Sequence, residues 1–307
     1  MIRIVAGSAS HHLGSLVAEQ LGIPVLLPQS THFADGELDV SIDADLTGKT
    51  VYIIQSLAVA PNEYLVELFL LIDCACRNGA KSITAVIPYL AYMRQDKHQA
   101  HHAYASPAIA QLISQCVDRV ILVDPHVPQV GGFFSVPVQE ISTARLFQQD
   151  IIKRGLQDCV FVSPDLGGVK RVEMVKPDAA TIAVIEKTRD PDGIHMHSLL
   201  GDVSGRSCVL VDDVIATGHT IIQAANLLKQ YGASAVYVYA THATIPERLP
   251  IIAQESAIDE VVVTDTIAGI DKKYVKLSVN AEISASIEIS NLSNGDSDES
   301  QSREQGS

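Results

Sequence analysis

Two adjacent acids, Asp212 and Asp213, close the apolar run Val209-Leu210-Val211 and lead into Val214-Ile215-Ala216-Thr217-Gly218-His219-Thr220. The run reads as a buried strand that delivers two carboxylates at its C-terminal end. A helix-patterned segment, 221–231, opens behind the small-residue loop. The first N–H groups of a helix lack partners and carry the positive end of its dipole. Thr217 to Thr220 therefore offer backbone donors and hydroxyls to a phosphate. Carboxylates repel a phosphate, so Asp212 and Asp213 must serve something beside it: the hydroxyls of a sugar, or a cation resting on those hydroxyls. The spacing predicts a sugar-phosphate site.

Four further segments carry candidate chemistry. Phe33, Asp35, Gly36 and Glu37 combine an aromatic ring, two acids and a glycine. Two readings stand: a surface turn, since Asp-Gly is a common hairpin signal, or a nucleoside site with the ring on a base. Arg94, Gln95 and Lys97 follow an apolar run and Pro88-Tyr89, where a guanidinium fork and an ammonium suit a triphosphate or simply a solvated loop. His126 in Asp124-Pro125-His126 and Asp165 in Ser163-Pro164-Asp165-Leu166-Gly167-Gly168 each stand at the end of a strand-like run. They could share a hard cation, with capping or packing as the plainer alternative. Lys187 and Arg189 lead into Asp190-Pro191-Asp192-Gly193, a stretch of turn-formers expected to be mobile. A cationic arm there suits transfer of a phosphorylated group; a polar hairpin tip is the alternative. Three histidines, His98, His101 and His102, lie on an unpatterned loop whose spacing does not force a metal.

These residues need a frame that brings them to one side. Strand-like runs at 51–55, 83–88 and 120–123 alternate with helix-like stretches at 62–78 and 106–115. A second series of strands falls at 159–163, 180–185, 208–211, 235–240 and 260–264. The alternation predicts an α/β protein of mainly parallel sheets flanked by helices. Such sheets bind ligands outside their C-terminal strand ends, where the candidate residues fall. The series divide near 141–144, predicting domains at 1–143 and 144–290, with a polar acidic tail at 291–307 expected to be disordered. A length of 307 residues suits two such cores.

A net charge of −14 excludes a nucleic-acid surface, which wants a basic face. Phosphates must then be held by local basic loops, backbone N–H groups and Mg2+ rather than by the overall field. No apolar run reaches the roughly 18 residues of a membrane span. Five scattered cysteines, an odd number, read as reduced thiols of a cytoplasmic protein.

Taken in order, the segments resemble the ribose-phosphate pyrophosphokinase family, over about residues 4–266 and more weakly to about 289. The resemblance implies two phosphoribosyltransferase-like domains and an assembly built from dimers into a homo-oligomer. It implies transfer of the β,γ-diphosphoryl unit of Mg-ATP to the 1-hydroxyl of ribose 5-phosphate, releasing AMP. Phe33, Asp35, Gly36 and Glu37 would then hold adenine and ribose, and Arg94 and Gln95 the nucleotide and its phosphates. His126 and Asp165 match magnesium positions, and Lys187 and Arg189 the catalytic pair. Asp212 and Asp213 would face the ribose hydroxyls, with Ala216, Thr217, Gly218, His219 and Thr220 around the 5-phosphate. Three departures accompany the match. Ala216 replaces an acid and His219 a glycine, and the segment 98–107 lacks most of the expected basic residues, which predicts weak phosphate activation and weak ADP allostery. A phosphoribosyltransferase would share only the 212–220 site. A non-catalytic regulatory homologue is the reading that Ala216 and the altered segment motivate.

Overall fold

The computed structural model describes residues 1–291 apart from 97, 99, 191, 192, 256 and 272. Two compact units emerge: Met1–Ile141 with the segment that begins at Val279, and Ser142–Ser278.

The first unit opens with β1 (Ile2–Ala6), α1 (His11–Gln20) and β2 (Val25–Leu26), followed by a hairpin of β3 (Gln29–His32) and β4 (Leu38–Ser41). Then come β5 (Thr50–Ile54), α2 (Pro61–Arg77), β6 (Ser82–Ile87), α3 (Ala105–Ser114), β7 (Arg119–Val123) and β8 (Val138–Ile141). The main sheet runs β2-β1-β5-β6-β7-β8 and is parallel throughout. Strand alternation puts Val5, Val51, Ile53, Ala85, Ile87, Val120 and Leu122 on one face. There they pack with Leu65, Leu68, Leu71 and Ile72 of α2 and Ala110 and Ile113 of α3. The helix α2 has Pro at its start, Glu63 in its first turn and Arg77 in its last, each suited to its end of the dipole.

The opposite face explains why the chain comes back. A terminal helix, 280–291, buries Ile283 and Ile287 completely. The Tyr52 hydroxyl donates to the Ile287 carbonyl at 3.4 Å, Ser284 Oγ to the Val17 carbonyl at 3.5 Å, and Asn280 Nδ2 to Gln20 Oε1 at 2.7 Å. Chain order assigned 279–290 to the second domain. The apolar face of the first sheet claims it instead, because Ile4, Tyr52, Ile54 and α1 would otherwise lack a cover. The tail expected to be disordered lies outside the described residues from 292 on.

The second unit comprises α4 (Ala144–Lys153), β9 (Val160–Ser163), α5 (Val169–Val175), β10 (Ile182–Asp190), β11 (Gly193–Leu200), β12 (Ser207–Ile215), α6 (His219–Gln230), β13 (Ala235–Ala243), α7 (Leu249–Ile252), β14 (Glu260–Thr264) and β15 (Val275–Leu277). Its sheet runs β11-β10-β9-β12-β13-β14-β15, with only the β10–β11 pair antiparallel. Two strands outrun the sequence reading. β10 continues to Asp190 because β11, a strand that periodicity did not reveal, pairs with it from Val184 to Asp190. β12 continues to Ile215 because β13 offers ladder partners as far as Ala243.

Candidate active site

In an open parallel sheet the ligand crevice lies where consecutive connections leave in opposite directions. In the second unit that point falls between β9, whose next strand β10 lies on one side, and β12 on the other. The two loops that flank it are 164–168 and 216–219, so topology alone brings Asp165 and the Asp212–Thr220 segment to one crevice.

Asp165 opens a tight turn: its Oδ1 accepts the Gly168 N–H at 2.9 Å, and Ser163 Oγ donates to its carbonyl at 2.6 Å. Its other oxygen meets the Lys187 ammonium, carried by β10. Burial would raise the Asp165 carboxyl, but the lysine and the Gly168 and Gly167 N–H groups outweigh burial and hold it below the usual carboxylate range. Lys187 therefore sits inside a paired strand, not at the mouth of a loop as its sequence neighbours suggested. Arg189 follows on β10, opposite Ile194, with its side chain outside the described residues. The turn residues 191 and 192 are outside them as well.

The acid pair is not symmetrical. β12 carries both acids in or beside its ladder, with Asp212 opposite Ala240 and Val214 opposite His242. Asp213 is 4% exposed and accepts from Arg171 Nη1 at 3.0 Å; Asp212 Oδ1 lies 3.9 Å from the same nitrogen and accepts the Asp213 N–H at 2.9 Å. Burial, then the neighbouring charge of Asp213, pushes the Asp212 carboxyl well above its usual value, with Arg171 opposing. Beyond the strand, Gly218 turns the chain with φ 82°, a left-handed conformation that glycine adopts cheaply. A Cβ there would come within 2.3 Å of Ile252 Cδ1. No side chain caps the N-terminus of α6, so its first N–H groups face the loop of Thr217 and His219. The His219 ring pairs with Gln223 Nε2 at 2.9 Å, one turn along the helix, which orients it at the cradle's rim.

In the first unit, Phe33 to Glu37 form the tip of the β3–β4 hairpin. Phe33 N–H donates to the Glu37 carbonyl at 2.8 Å, and the Phe33 ring is 56% exposed. The hairpin reading and the nucleoside reading are thus compatible, because a turn presents the ring outward. Arg94 and Gln95 are exposed just beyond β6, and His126 is exposed beyond β7 on the neighbouring strand. Lys97 is outside the described residues. Non-glycine residues with positive φ stand at three adjacent strand ends: Val59 at 69°, Tyr92 at 68° and Asp124 at 37°. Such strain costs about 1–3 kcal/mol each and clusters at functional sites.

The first turns of α2 link these parts. Glu63 pairs with His32 at 3.5 Å, at the base of the hairpin tip, and Asn62 accepts from the Tyr92 hydroxyl, two residues before Arg94. One turn further, buried Glu67 accepts from Ser8 N at 3.0 Å, Ser30 Oγ at 2.8 Å and Gln55 Nε2 at 2.7 Å. Sequence reading missed Glu67 and Arg171. The signals were a lone acid inside the apolar face of α2, and a cation three residues past the glycine pair that follows Asp165.

Among the described residues no three His, Cys, Asp or Glu side chains converge as a metal cage. A cation at Asp165 or His126 would take most of its ligands from phosphate oxygens and water. That is how Mg2+ is usually bound, and an ionised Asp165 is a suitable donor for it. Asp165 thus fits the ion as one ligand among phosphate and water oxygens.

A switch point in a parallel sheet, with an acid pair on one side and an uncapped helix N-terminus on the other, is an α/β arrangement whose chemistry suits a phosphorylated, hydroxyl-bearing ligand. Residues 2–116 match the N-terminal domain of ribose phosphate pyrophosphokinase, and 171–294 the phosphoribosyl synthetase-associated domain. A ribose-phosphate pyrophosphokinase of Vibrio vulnificus is 40% identical over 272 residues, covering 87% of each chain. That of Haemophilus influenzae is 40% identical over 274 residues, again covering 87% of each. The crystal structure of phosphoribosylpyrophosphate synthetase from Mycobacterium smegmatis superposes with a TM-score of 0.85 at 33% identity, covering 95% of this chain and 99% of its own. The chain belongs to the ribose-phosphate pyrophosphokinase family.

Proposed function

We propose that the protein makes 5-phosphoribosyl 1-diphosphate and AMP from ribose 5-phosphate and Mg-ATP. The observation that carries this reading is the meeting of Asp165, Lys187, Arg171 and the Asp212–Thr220 segment around one switch point. In the reaction the ribose 1-hydroxyl oxygen bonds to the β-phosphorus of ATP, the bond to the α,β-bridging oxygen breaks, and AMP leaves as the hydroxyl proton is lost. Asp212, the more accessible acid, accepts from the ribose hydroxyls, with Asp213 behind it. The N–H groups and hydroxyls of 217–220 hold the 5-phosphate, with Ala216 and His219 on the loop's edge.

Lys187, whose ammonium faces Asp165, is the proposed group that neutralises charge on the transferring unit, with Arg189 as its companion. Such preorganised charge contributes more than it would in water. Phe33, Asp35, Gly36 and Glu37 take adenosine, with Arg94 and Gln95 on the phosphates. Asp165 in the second unit and His126 in the first are each proposed as Mg2+ ligands, and the bound ion would supply charge neutralisation to the triphosphate. The nucleotide residues belong to the first unit and the sugar residues to the second, which gives the two domains their proposed division of labour.

No helix of the described residues is long and apolar enough to cross a membrane. All five cysteines are free thiols, which supports a cytoplasmic location. A homo-oligomer built from dimers follows from the family reading.

AMP release from ATP, requiring ribose 5-phosphate and Mg2+ but no base, tests the proposal. Lys187→Ala should lower that rate by on the order of 10²-fold or more. If no AMP forms and Lys187→Ala leaves ligand binding unchanged, the regulatory homologue becomes the better reading. A requirement for added base would point to a phosphoribosyltransferase.

A further inference from the structure

We propose that Arg171 is a positioning residue of the sugar site: reaching from α5 to both acids of β12, it fixes Asp213 as the buried anion of the pair and leaves Asp212 to meet the ribose hydroxyls as a carboxylate. The inference rests on the sugar-phosphate reading given above.

Two neighbouring carboxylates that are both largely withdrawn from water oppose each other's ionisation, and the pair tends to keep a proton. A protonated acid donates one hydrogen bond and loses acceptor capacity, which a sugar hydroxyl needs. The Arg171 guanidinium stands 3.0 Å from Asp213 and 3.9 Å from Asp212, and its side chain is 20% exposed. A planar fork can serve two acids at once where an ammonium serves one. Of the other elements against β12, α6 begins with His219, whose ring is bonded to Gln223 at 2.9 Å. β13 sets Ala240 opposite Asp212, and His242, opposite Val214, has its ring tied to Thr266 at 2.9 Å. β9 leads to Asp165, whose charge Lys187 matches.

The backbone explains how Arg171 comes to be there. Asp165 caps the turn that starts α5, and Arg171 lies in the first turn of that helix. The same turn therefore aims Asp165 at Lys187 and Arg171 at the acid pair, so the sugar site and the proposed phosphoryl site share one support.

The test is titration of the full-length protein with ribose 5-phosphate between pH 6 and 9, comparing wild type, Arg171→Met and Arg171→Lys. Affinity for Mg-ATP and the thermal midpoint serve as controls. Arg171→Met should weaken ribose 5-phosphate binding at pH 7 by about 10-fold or more, as for an acid that loses its buried cation. The loss should shrink toward pH 9 as the pair ionises unaided. Arg171→Lys should give an intermediate profile, and Mg-ATP affinity should stay within about 2-fold of wild type. A wild-type profile in Arg171→Met overturns the proposal, as does a loss equal at every pH and not relieved by lysine. If Arg171→Met does not fold, Arg171→Lys decides: an alkaline-shifted profile supports the role, and one superposable on wild type overturns it. Failure of the wild type itself to bind ribose 5-phosphate would sink the sugar-site reading, a result distinct from either.

Discussion

Asp212 and Asp213 are neighbours in sequence but carry different burdens. Burial and the adjacent acid penalise charge on Asp212, so its folded-state value lies above the usual one of about 3.9. Across that window the folded protein binds more protons than the unfolded chain, and stability falls as pH rises. Asp212→Asn should therefore raise the thermal midpoint at pH 8, equivalent to about 0.5–2 kcal/mol, as at other strained functional sites. The gain should vanish toward pH 4 while ribose 5-phosphate binding is lost. A midpoint unchanged at pH 8 would contradict this account. Asp165 runs the other way: its value is lowered, so its contribution is present above the usual carboxylate value and is lost as pH falls through the lowered one. Asp165 and Lys187 could each be picked from the sequence. Their contact could not, because 22 positions separate them and pairing of β9 with β10 brings them together.

Turns and helix starts decide how those residues are held. Gly218 is needed twice over, for its left-handed φ and for the space that Ile252 fills. Gly218→Ala should destabilise the protein by about 1–3 kcal/mol and raise the KM for ribose 5-phosphate. Denaturant unfolding and steady-state kinetics would check both. In the first unit, Glu67 anchors the hairpin through Ser30 and two strand ends through Ser8 and Gln55. Glu67→Gln turns an amide donor toward groups that are themselves donors, at a cost of about 1–3 kcal/mol. The KM for ATP should rise more than kcat falls, because the Phe33 tip loosens while Lys187 is untouched. Equal ATP affinity in wild type and variant would count against the anchor. The buried acid was visible as a break in an apolar helix face; its partners were not, since they come from three separate segments.

The two units share a design but not a crevice. At the first unit's switch point, between β1 and β5, a Cβ on Gly7 would meet Gln55 Oε1 at 2.3 Å, and the Gln55 amide donates to Glu67 at 2.7 Å. The unit's own side chains occupy its switch point, whereas the switch point of the second unit is the proposed sugar-phosphate site. This accounts for candidate nucleotide residues lying instead on the hairpin tip and the ends of β6 and β7. The return of the chain to cover the first sheet is equally a property of the whole molecule. Ile287→Ala, at a fully buried position in that helix, should cost about 2–5 kcal/mol and show first in unfolding of the first unit. A variant as stable as wild type would mean that the helix is not part of that core. The sparse basic residues of 98–107 predict AMP release that inorganic phosphate stimulates little, measured with and without added phosphate.

Local order, read from sequence, was enough for the α/β class, the acid pair with the small-residue loop behind it, and the resemblance to the ribose-phosphate pyrophosphokinases. Those features depend on residue type, period and spacing within a few positions. Tertiary structure alone decided that Arg171 holds the acids, that Lys187 meets Asp165, that β11 pairs with β10, and that the terminal helix belongs to the first unit. Apart from the β10–β11 hairpin, each of these is a contact between segments separated by 20 or more positions in the chain. Apolar faces seeking cover and buried charges seeking partners choose such contacts, and neither choice leaves a local mark.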